Sequence, residues 1–405
     1  MVDPRDSAEE AAFRAEARSW LENHARKRPG PAIAPSAIVA EWSPEEEEVR
    51  FGTAIDWQRL KAEQGWAGIA WPTRYGGRGA GLVESVIFDE EETRFDVPRD
   101  ALSVGLGWCG PAILVHGSDE QRDRFLPPLL RGDEVWCQLF SEPDAGSDLA
   151  SLRTRAVRDG EEWVLSGQKV WTTFAHRSDW GLCVARTDPG VPKHRGLTAF
   201  VVDMRHPGVH CNPLVQMTGS SNFNEVFLDE VVVPDDQVIG EVGQGWAVVI
   251  TTFMFERTGI IFDTEGVVAA LKALIGETGT GDRRTVRERF AQVAIGSRLL
   301  QFHKLRLLTA LAQGRTPGPE GSVVKLAATR FLSGAYDLGL ELLGPFGTLE
   351  GRDGSTEWIS AFLGAPGLRI GGGTDEVQKN IISERILGLP GEPRPDRDQP
   401  FAATT

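Results

Sequence analysis

The chain has 405 residues, with 43 basic and 58 acidic side chains and a formal net charge of −15. That length suits two or three packed layers around an ample core, and that charge argues against nucleic acid or an anionic membrane surface as a partner. The four cysteines, Cys109, Cys137, Cys183 and Cys211, are far apart and form no C-x-x-C pair, so they read as small apolar fillers in a reducing, cytoplasmic compartment.

The opening residues are mixed in charge and lack an apolar stretch, so no signal peptide is expected. No run of about 18 apolar residues occurs, so no transmembrane helix is expected. Ser7 and Glu10 form a capping box ahead of Phe13, Ala17, Trp20 and Leu21 at helical spacing. Prolines 29, 31, 35 and 44 mark residues 28–44 as a loop, and a second helix is predicted from about Pro44 to Gln64. The glycine cluster Gly76, Gly77, Gly79 and Gly81 makes a connector, followed by predicted helices near 82–95, 100–116 and 119–130.

From 134 to 235 the pattern changes to a period of two. Runs such as Leu197-Thr198-Ala199-Phe200-Val201-Val202 alternate with turn clusters, as in an all-β domain closed by Pro234. Within it the segment from Gln138 to Thr173 stands out. The loop Ser141-Glu142-Pro143-Asp144-Ala145-Gly146-Ser147-Asp148 is crowded with hydroxyl and carboxylate groups, and Val170-Trp171-Thr172-Thr173 ends a strand nearby. Such a loop beside a Trp-Thr-Thr strand end suits a polar, aromatic ligand; a plain surface loop is the other reading. Residues 243–388 return to helical spacing, and the Pro-rich stretch after Leu389 is expected to be disordered or draped on a neighbour.

Two local patterns lead nowhere. Gly105-Leu106-Gly107-Trp108-Cys109-Gly110 matches G-x-G-x-x-G, but no buried strand precedes it and no βαβ alternation follows. His206 and His210 are separated by Pro207 and Gly208, so they share no helix face and no metal site is expected.

Glu256 is the most informative single residue. Between Trp246 and Phe262 the only charges are Glu256 and Arg257, and a helix apolar on nearly every face is buried. A carboxylate there costs on the order of 2–5 kcal/mol unless it is paired or protonated. Burial raises its pKa toward neutrality, where it serves as a general base. A structural ion pair is the alternative.

Taken together, the motifs resemble those of the acyl-CoA dehydrogenase family along essentially the whole chain. They are Leu139-Phe140-Ser141-Glu142-Pro143-Asp144-Ala145-Gly146-Ser147-Asp148, Gly167-Gln168-Lys169-Val170-Trp171-Thr172-Thr173, Phe223-Asn224-Glu225-Val226-Phe227-Leu228-Asp229-Glu230-Val231, and Gly373-Thr374-Asp375-Glu376-Val377-Gln378-Lys379-Asn380-Ile381-Ile382 with Glu384-Arg385. The resemblance implies an α+β fold: an N-terminal helical domain (1–130), a central β-barrel-like or sandwich domain (131–236), a C-terminal four-helix bundle (237–390) and a tail (391–405). It implies FAD as cofactor, with Gln138, Leu139, Ser141, Ser147, Trp171, Thr172 and Thr173 at the flavin and Thr374 and Glu376 toward the diphosphate or ribityl side. Ser147 and Arg257 would contact the acyl-CoA substrate. The reaction implied is α,β-dehydrogenation to a trans-2-enoyl thioester, with an electron-transfer flavoprotein as acceptor and a tetrameric assembly. A flavin oxidase is the alternative within the fold, and a non-catalytic or half-site subunit of an α2β2 dehydrogenase is the alternative of a different functional class.

This sequence departs from the family pattern in ways that bear on mechanism. Most members carry the catalytic Glu immediately before the Gly-Thr of the last motif, where this chain has Gly372. A minority branch has it at the position matching Glu256, directly before the Arg. The resemblance thus makes Glu256 the base and leaves the Gly372 backbone N–H as a donor to the thioester oxygen. The family's Arg-x-x-Phe-Gly is missing near 273–290, and its Gln-x-x-Gly-Gly appears as Glu341-Leu342-Leu343-Gly344-Pro345. These changes resemble the branch that forms α2β2 heterotetramers, some acting on steroid side chains, so either a homotetramer or a heterotetramer with a related subunit is expected.

Overall fold

The computed structural model describes residues 6–29, 43–99, 101–259, 264–313, 318–349 and 355–403. Most of the proline-rich loop expected at 28–44 lies outside them. Chain contacts form two compact units, one of residues 1–41, 80–97 and 260–391, the other of residues 42–79, 98–259 and 392–405. The helices of the first 130 residues are shared between these units.

The first unit is helical. Helix Ala8–His24 starts at the expected capping box, with Ser7 Oγ accepting the Glu10 N–H at 3.2 Å and the Glu10 carboxylate accepting the Ser7 N–H at 2.6 Å. Arg14 and Arg18 both reach the fully buried Glu91 on helix Leu82–Glu92, at 3.2 and 2.9 Å, which accounts for these two helices belonging together. Lys304, on helix Arg284–Ala312, pairs with Glu90 at 2.7 Å. Helices Thr264–Thr278, Arg284–Ala312, Glu320–Leu343 and Ser355–Ile370 share one core, with Leu271, Leu300, Leu332, Tyr336 and Trp358 at its centre.

The second unit is built on an eight-stranded sheet: β1 Trp136–Leu139, β2 Arg155–Asp159, β3 Glu162–Thr173, β4 Trp180–Arg186, β5 Leu197–Asp203, β6 Val209–Leu214, β7 Phe223–Pro234 and β8 Val238–Ile239. The spatial order is β6-β7-β3-β2-β4-β5-β8, with β1 parallel to β4. The parallel link between β2 and β4 is the single pair Arg155↔Arg186, so the strands fall into two sets. Side chains from both sets, among them Leu165, Val226, Phe200 and Val202, fill one core, as in a sandwich. Helices Pro44–Glu63, Gly110–His116, Asp119–Arg131 and Gly245–Gly259 belong to this unit.

The glycine pattern at 105–110 forms a π-turn, Gly105–Cys109, running into helix Gly110–His116, with no strand before it. A Cβ at Gly110 would lie 2.5 Å from the Trp71 ring, so that glycine serves close packing. His206 Nδ1 accepts the Gly208 N–H at 3.0 Å, and no metal-binding cluster occurs among the described residues. No described helix is long and apolar enough to cross a membrane.

The final segment departs from expectation. Instead of lying disordered or on a neighbour, it packs on its own sheet unit. The Phe401 N–H donates to Val191 O and the Ala402 N–H to Pro189 O, both at 2.9 Å, and Phe401 is buried. Its one large apolar side chain finds a cover, which a composition-based reading overlooks.

Candidate active site

The loop after β1 is organised by one buried ion pair. Lys169, on β3, is fully buried, and its ammonium donates to Phe140 O at 3.0 Å, Val184 O at 2.8 Å and Glu142 Oε1 at 2.8 Å. The Glu142 carboxylate also accepts the N–H groups of Arg153 at 2.6 Å and Thr154 at 2.9 Å. Every ammonium proton and both carboxylate oxygens are therefore used, the condition under which a buried pair is tolerated. Burial pushes the Glu142 carboxyl up, but the Lys169 charge and the hydrogen bonds from Lys169, Thr154 and Arg153 outweigh it and hold the group below the ordinary carboxylate value.

Backbone bonds close the turn. The Ala145 N–H donates to Glu142 O at 3.0 Å, and the Val170 N–H to Ser141 O at 2.9 Å, which sets Ser141 beside the Trp171 end of β3. Ser141 is half-buried and Ser147 exposed. The Leu139 side chain has no exposed surface and lies in the sheet core, because strand alternation turns Cys137 and Leu139 inward and Gln138 the other way.

β3 is irregular where the motif predicted a ligand. Its register with β7 shifts between Lys169 and Thr172, and within that bulge Trp171 adopts φ 59°. A left-handed tryptophan is strained, and such strain concentrates at functional sites. Trp171 is 59% exposed, with one ring edge against Phe223 at 6.0 Å between centroids. Thr172 is buried and Thr173 half-buried. Two buried polar atoms, Gln138 Nε2 and Thr172 Oγ1, have no hydrogen-bond partner among the described residues. Unspent hydrogen-bonding groups near an exposed indole fit a planar heteroaromatic ligand.

Helix Gly245–Gly259 brings the carboxylate to this same unit. Val248 and Val249 enter the core that also contains Leu197, Ala199 and Val201 of β5. Phe253 meets Phe140 edge to face, with centroids 6.0 Å apart. His116 Nε2 lies 2.7 Å from Thr251 Oγ1, and burial holds that imidazole below its ordinary pKa. Positions 249, 252, 253 and 256 form one stripe, and Glu256 at its end is 8% exposed. The expectation of burial on nearly every face is corrected to burial along this stripe: Ile250, to one side of it, is 36% exposed. Arg257 lies in the same helix, with its side chain outside the described residues.

The remaining sites fall in the helical unit. Gly372 and Gly373 have φ 64° and 90°, conformations that disfavour side chains. Their carbonyls accept Gln378 Nε2 at 2.8 Å and Lys325 Nζ at 2.7 Å, respectively. Thr374 caps helix Asp375–Ile381 by accepting the Val377 N–H at 3.2 Å, and Glu376 is exposed. Arg369 holds the buried Asp375 at 2.6 Å. Sequence reasoning missed Lys325, since no local pattern links it to a loop some fifty residues away, and it gave no role to Lys169 and Glu142, although both lie in the quoted motifs.

Comparison with known proteins covers nearly all of this architecture. The acyl-CoA dehydrogenase N-terminal domain matches residues 7–133, the middle domain 137–231 and the C-terminal domain 243–387. Acyl-CoA dehydrogenase FadE34 of Mycobacterium tuberculosis is 40% identical over 361 residues, which are 89% of this chain; the match spans only 48% of that longer protein. Acyl-CoA dehydrogenase IpdE1 of the same organism is 36% identical over 385 residues, covering 94% of this chain and 98% of the relative. Among solved structures, the ChsE4-ChsE5 complex of M. tuberculosis matches at TM-score 0.78 and 27% identity, and the Tcur3481-Tcur3483 steroid ACAD at 0.79 and 25%. Each match covers 96% of this chain and 100% of the matched one.

Proposed function

Given that the chain belongs to the acyl-CoA dehydrogenase family of FAD-dependent enzymes, we propose that it performs α,β-dehydrogenation of an acyl-CoA thioester with Glu256 as the base. The observation that carries this reading is the placement of Glu256: buried, and one turn beyond the Phe253 that packs on the cradle loop at Phe140.

Gln138, Ser141, Thr172 and Thr173 supply polar contacts for FAD, and Trp171 supplies an aromatic face. Bound there, FAD supplies the two-electron acceptor that takes the substrate β-hydrogen as hydride. The Glu256 carboxylate takes the α-proton, and the electrons of the Cα–H bond become the new Cα=Cβ bond. Burial of Glu256 keeps bulk water from the carboxylate. The helical unit's share of the proposal is the Gly372 N–H as donor to the thioester oxygen, with Thr374 and Glu376 toward the FAD diphosphate; Ser147 and Arg257 hold the CoA portion. Electrons leave through an electron-transfer flavoprotein.

The similarity to a steroid acyl-CoA dehydrogenase favours a bulky, ring-bearing acyl group as substrate, and the similarity to a two-component complex favours a heterotetramer with a related subunit. Anaerobic addition of straight, branched and ring-bearing acyl-CoAs tests the reading: a matching substrate bleaches the flavin band, and no bleaching with any class rejects it. Fast peroxide release on re-aeration would instead favour an oxidase. An active, flavin-saturated homotetramer from this chain alone would reject the obligate partner.

A further inference from the structure

The segment Glu392–Ala403 closes on the part of the sheet unit that carries the cradle loop. It runs beside the β4–β5 connection, with a bridge Pro192↔Pro400 and the Phe401 and Ala402 backbone bonds already described. Two side-chain contacts continue inward. The Phe401 ring lies under the Arg186 guanidinium, 3.9 Å from centroid to Cζ. Lys193 Nζ sits between Asp396 at 3.2 Å and Asp148 at 2.8 Å.

Both basic residues grip the cradle loop's far end. Arg186 is buried and donates to Ala150 O at 2.5 Å, Leu152 O at 3.2 Å and Lys193 O at 2.7 Å. Asp148, besides Lys193, accepts from Ser151 Oγ at 2.5 Å. An aromatic face over a guanidinium keeps water off it and so strengthens the bonds it makes in its own plane. The loop is thus fixed at one end by Lys169 and Glu142, and at the other through residues whose own partners come from the final segment.

We propose that Phe401 and Asp396 are positioning residues for the end of this loop, Ser147–Leu152, which carries the substrate-side Ser147, acting through Arg186 and Lys193. This rests on the assignment of Ser147 to the CoA side of the site. The final segment then sets acyl-CoA affinity without touching the chemistry.

The test uses the assembled holoenzyme, with the double variant Phe401→Ala/Asp396→Ala and the conservative Phe401→Tyr. Hydrogen exchange in substrate-free protein is expected to speed up at residues 146–153 in the double variant and to stay at the wild-type rate across β5 and β7. Exchange unchanged at 146–153, or raised equally throughout the sheet, overturns the proposal. With the acyl-CoA that bleaches the wild type, KM is expected to rise roughly five-fold or more at nearly constant kcat, with Phe401→Tyr restoring it. An unchanged KM, or a loss confined to kcat, also overturns it. A wild-type enzyme that no acyl-CoA bleaches would reject the functional reading and leave the exchange result to decide the loop's anchoring.

Discussion

Phe140 and Phe253 meet edge to face, their planes at 72° and their centroids 6.0 Å apart. One ring opens the cradle loop and the other lies a single helical turn before Glu256, so this contact couples the ligand-side loop to the helix of the proposed base. Phe253→Ala is expected to destabilise the protein by about 2–3 kcal/mol, below the range for a fully buried phenylalanine because this one is only partly buried. Turnover is expected to fall as well, since Glu256 loses the anchor of its turn. Denaturant titration beside steady-state kinetics checks both, and an unchanged midpoint would show that the rings contribute nothing.

Glu256→Gln keeps the shape of the side chain and removes its basicity. Turnover is expected to drop by about 10²- to 10⁴-fold while the flavin absorbance is retained. Near-wild-type turnover would move the base elsewhere.

Trp171 is strained and exposed, which separates its effects on folding and on binding. Trp171→Gly is expected to leave the flavin-free protein as stable as before, or more stable by up to about 1–3 kcal/mol from relief of the left-handed strain, less glycine's extra entropy cost. Flavin affinity is expected to weaken. Thermal melts of the flavin-free protein, with fluorescence titration of FAD, give the two numbers; a variant that melts lower and binds FAD normally contradicts this account.

Lys169→Met leaves Glu142 buried without its cation, at an expected cost of about 3–5 kcal/mol near neutral pH. Glu142 titrates below its ordinary value in the folded wild type, so its contribution is present above roughly pH 4.3 and is lost as pH falls through the lowered folded value. In Lys169→Met the uncompensated carboxyl is favoured as the neutral acid, so the stability gap from wild type narrows on acidification. Unfolding titrations from neutral pH to about pH 4 measure that gap; a gap that is constant or widening would falsify the pairing argument.

Much of the fold was legible in local chemistry. The Ser7–Glu10 capping box, the prolines before the second helix and the change from helical to two-residue periodicity are short-range signals, because hydrogen-bond geometry and side-chain direction repeat within a few residues. The family motifs likewise marked Ser141, Trp171 and Thr173. Glu256 stood out on cost alone, since a carboxylate in an apolar run requires a reason.

Other features depended on residues far apart in the chain. No local pattern reveals that Lys169 spends all three protons on Phe140, Glu142 and Val184, or that Lys325 holds Gly373. Strand phase, not motif membership, turns the Leu139 side chain inward. The final segment, expected to be disordered or draped on a neighbour, packs on its own unit instead, because composition carries no information about Arg186 and Lys193, which receive it. Sequence by itself determined the elements and the family and singled out a candidate carboxylate, because these depend on residue type and short-range order. Only the tertiary structure decided which of those residues are buried, which are spent on one another and which remain open to a ligand, because hydrogen-bond satisfaction and burial are set by neighbours that the linear order does not place together.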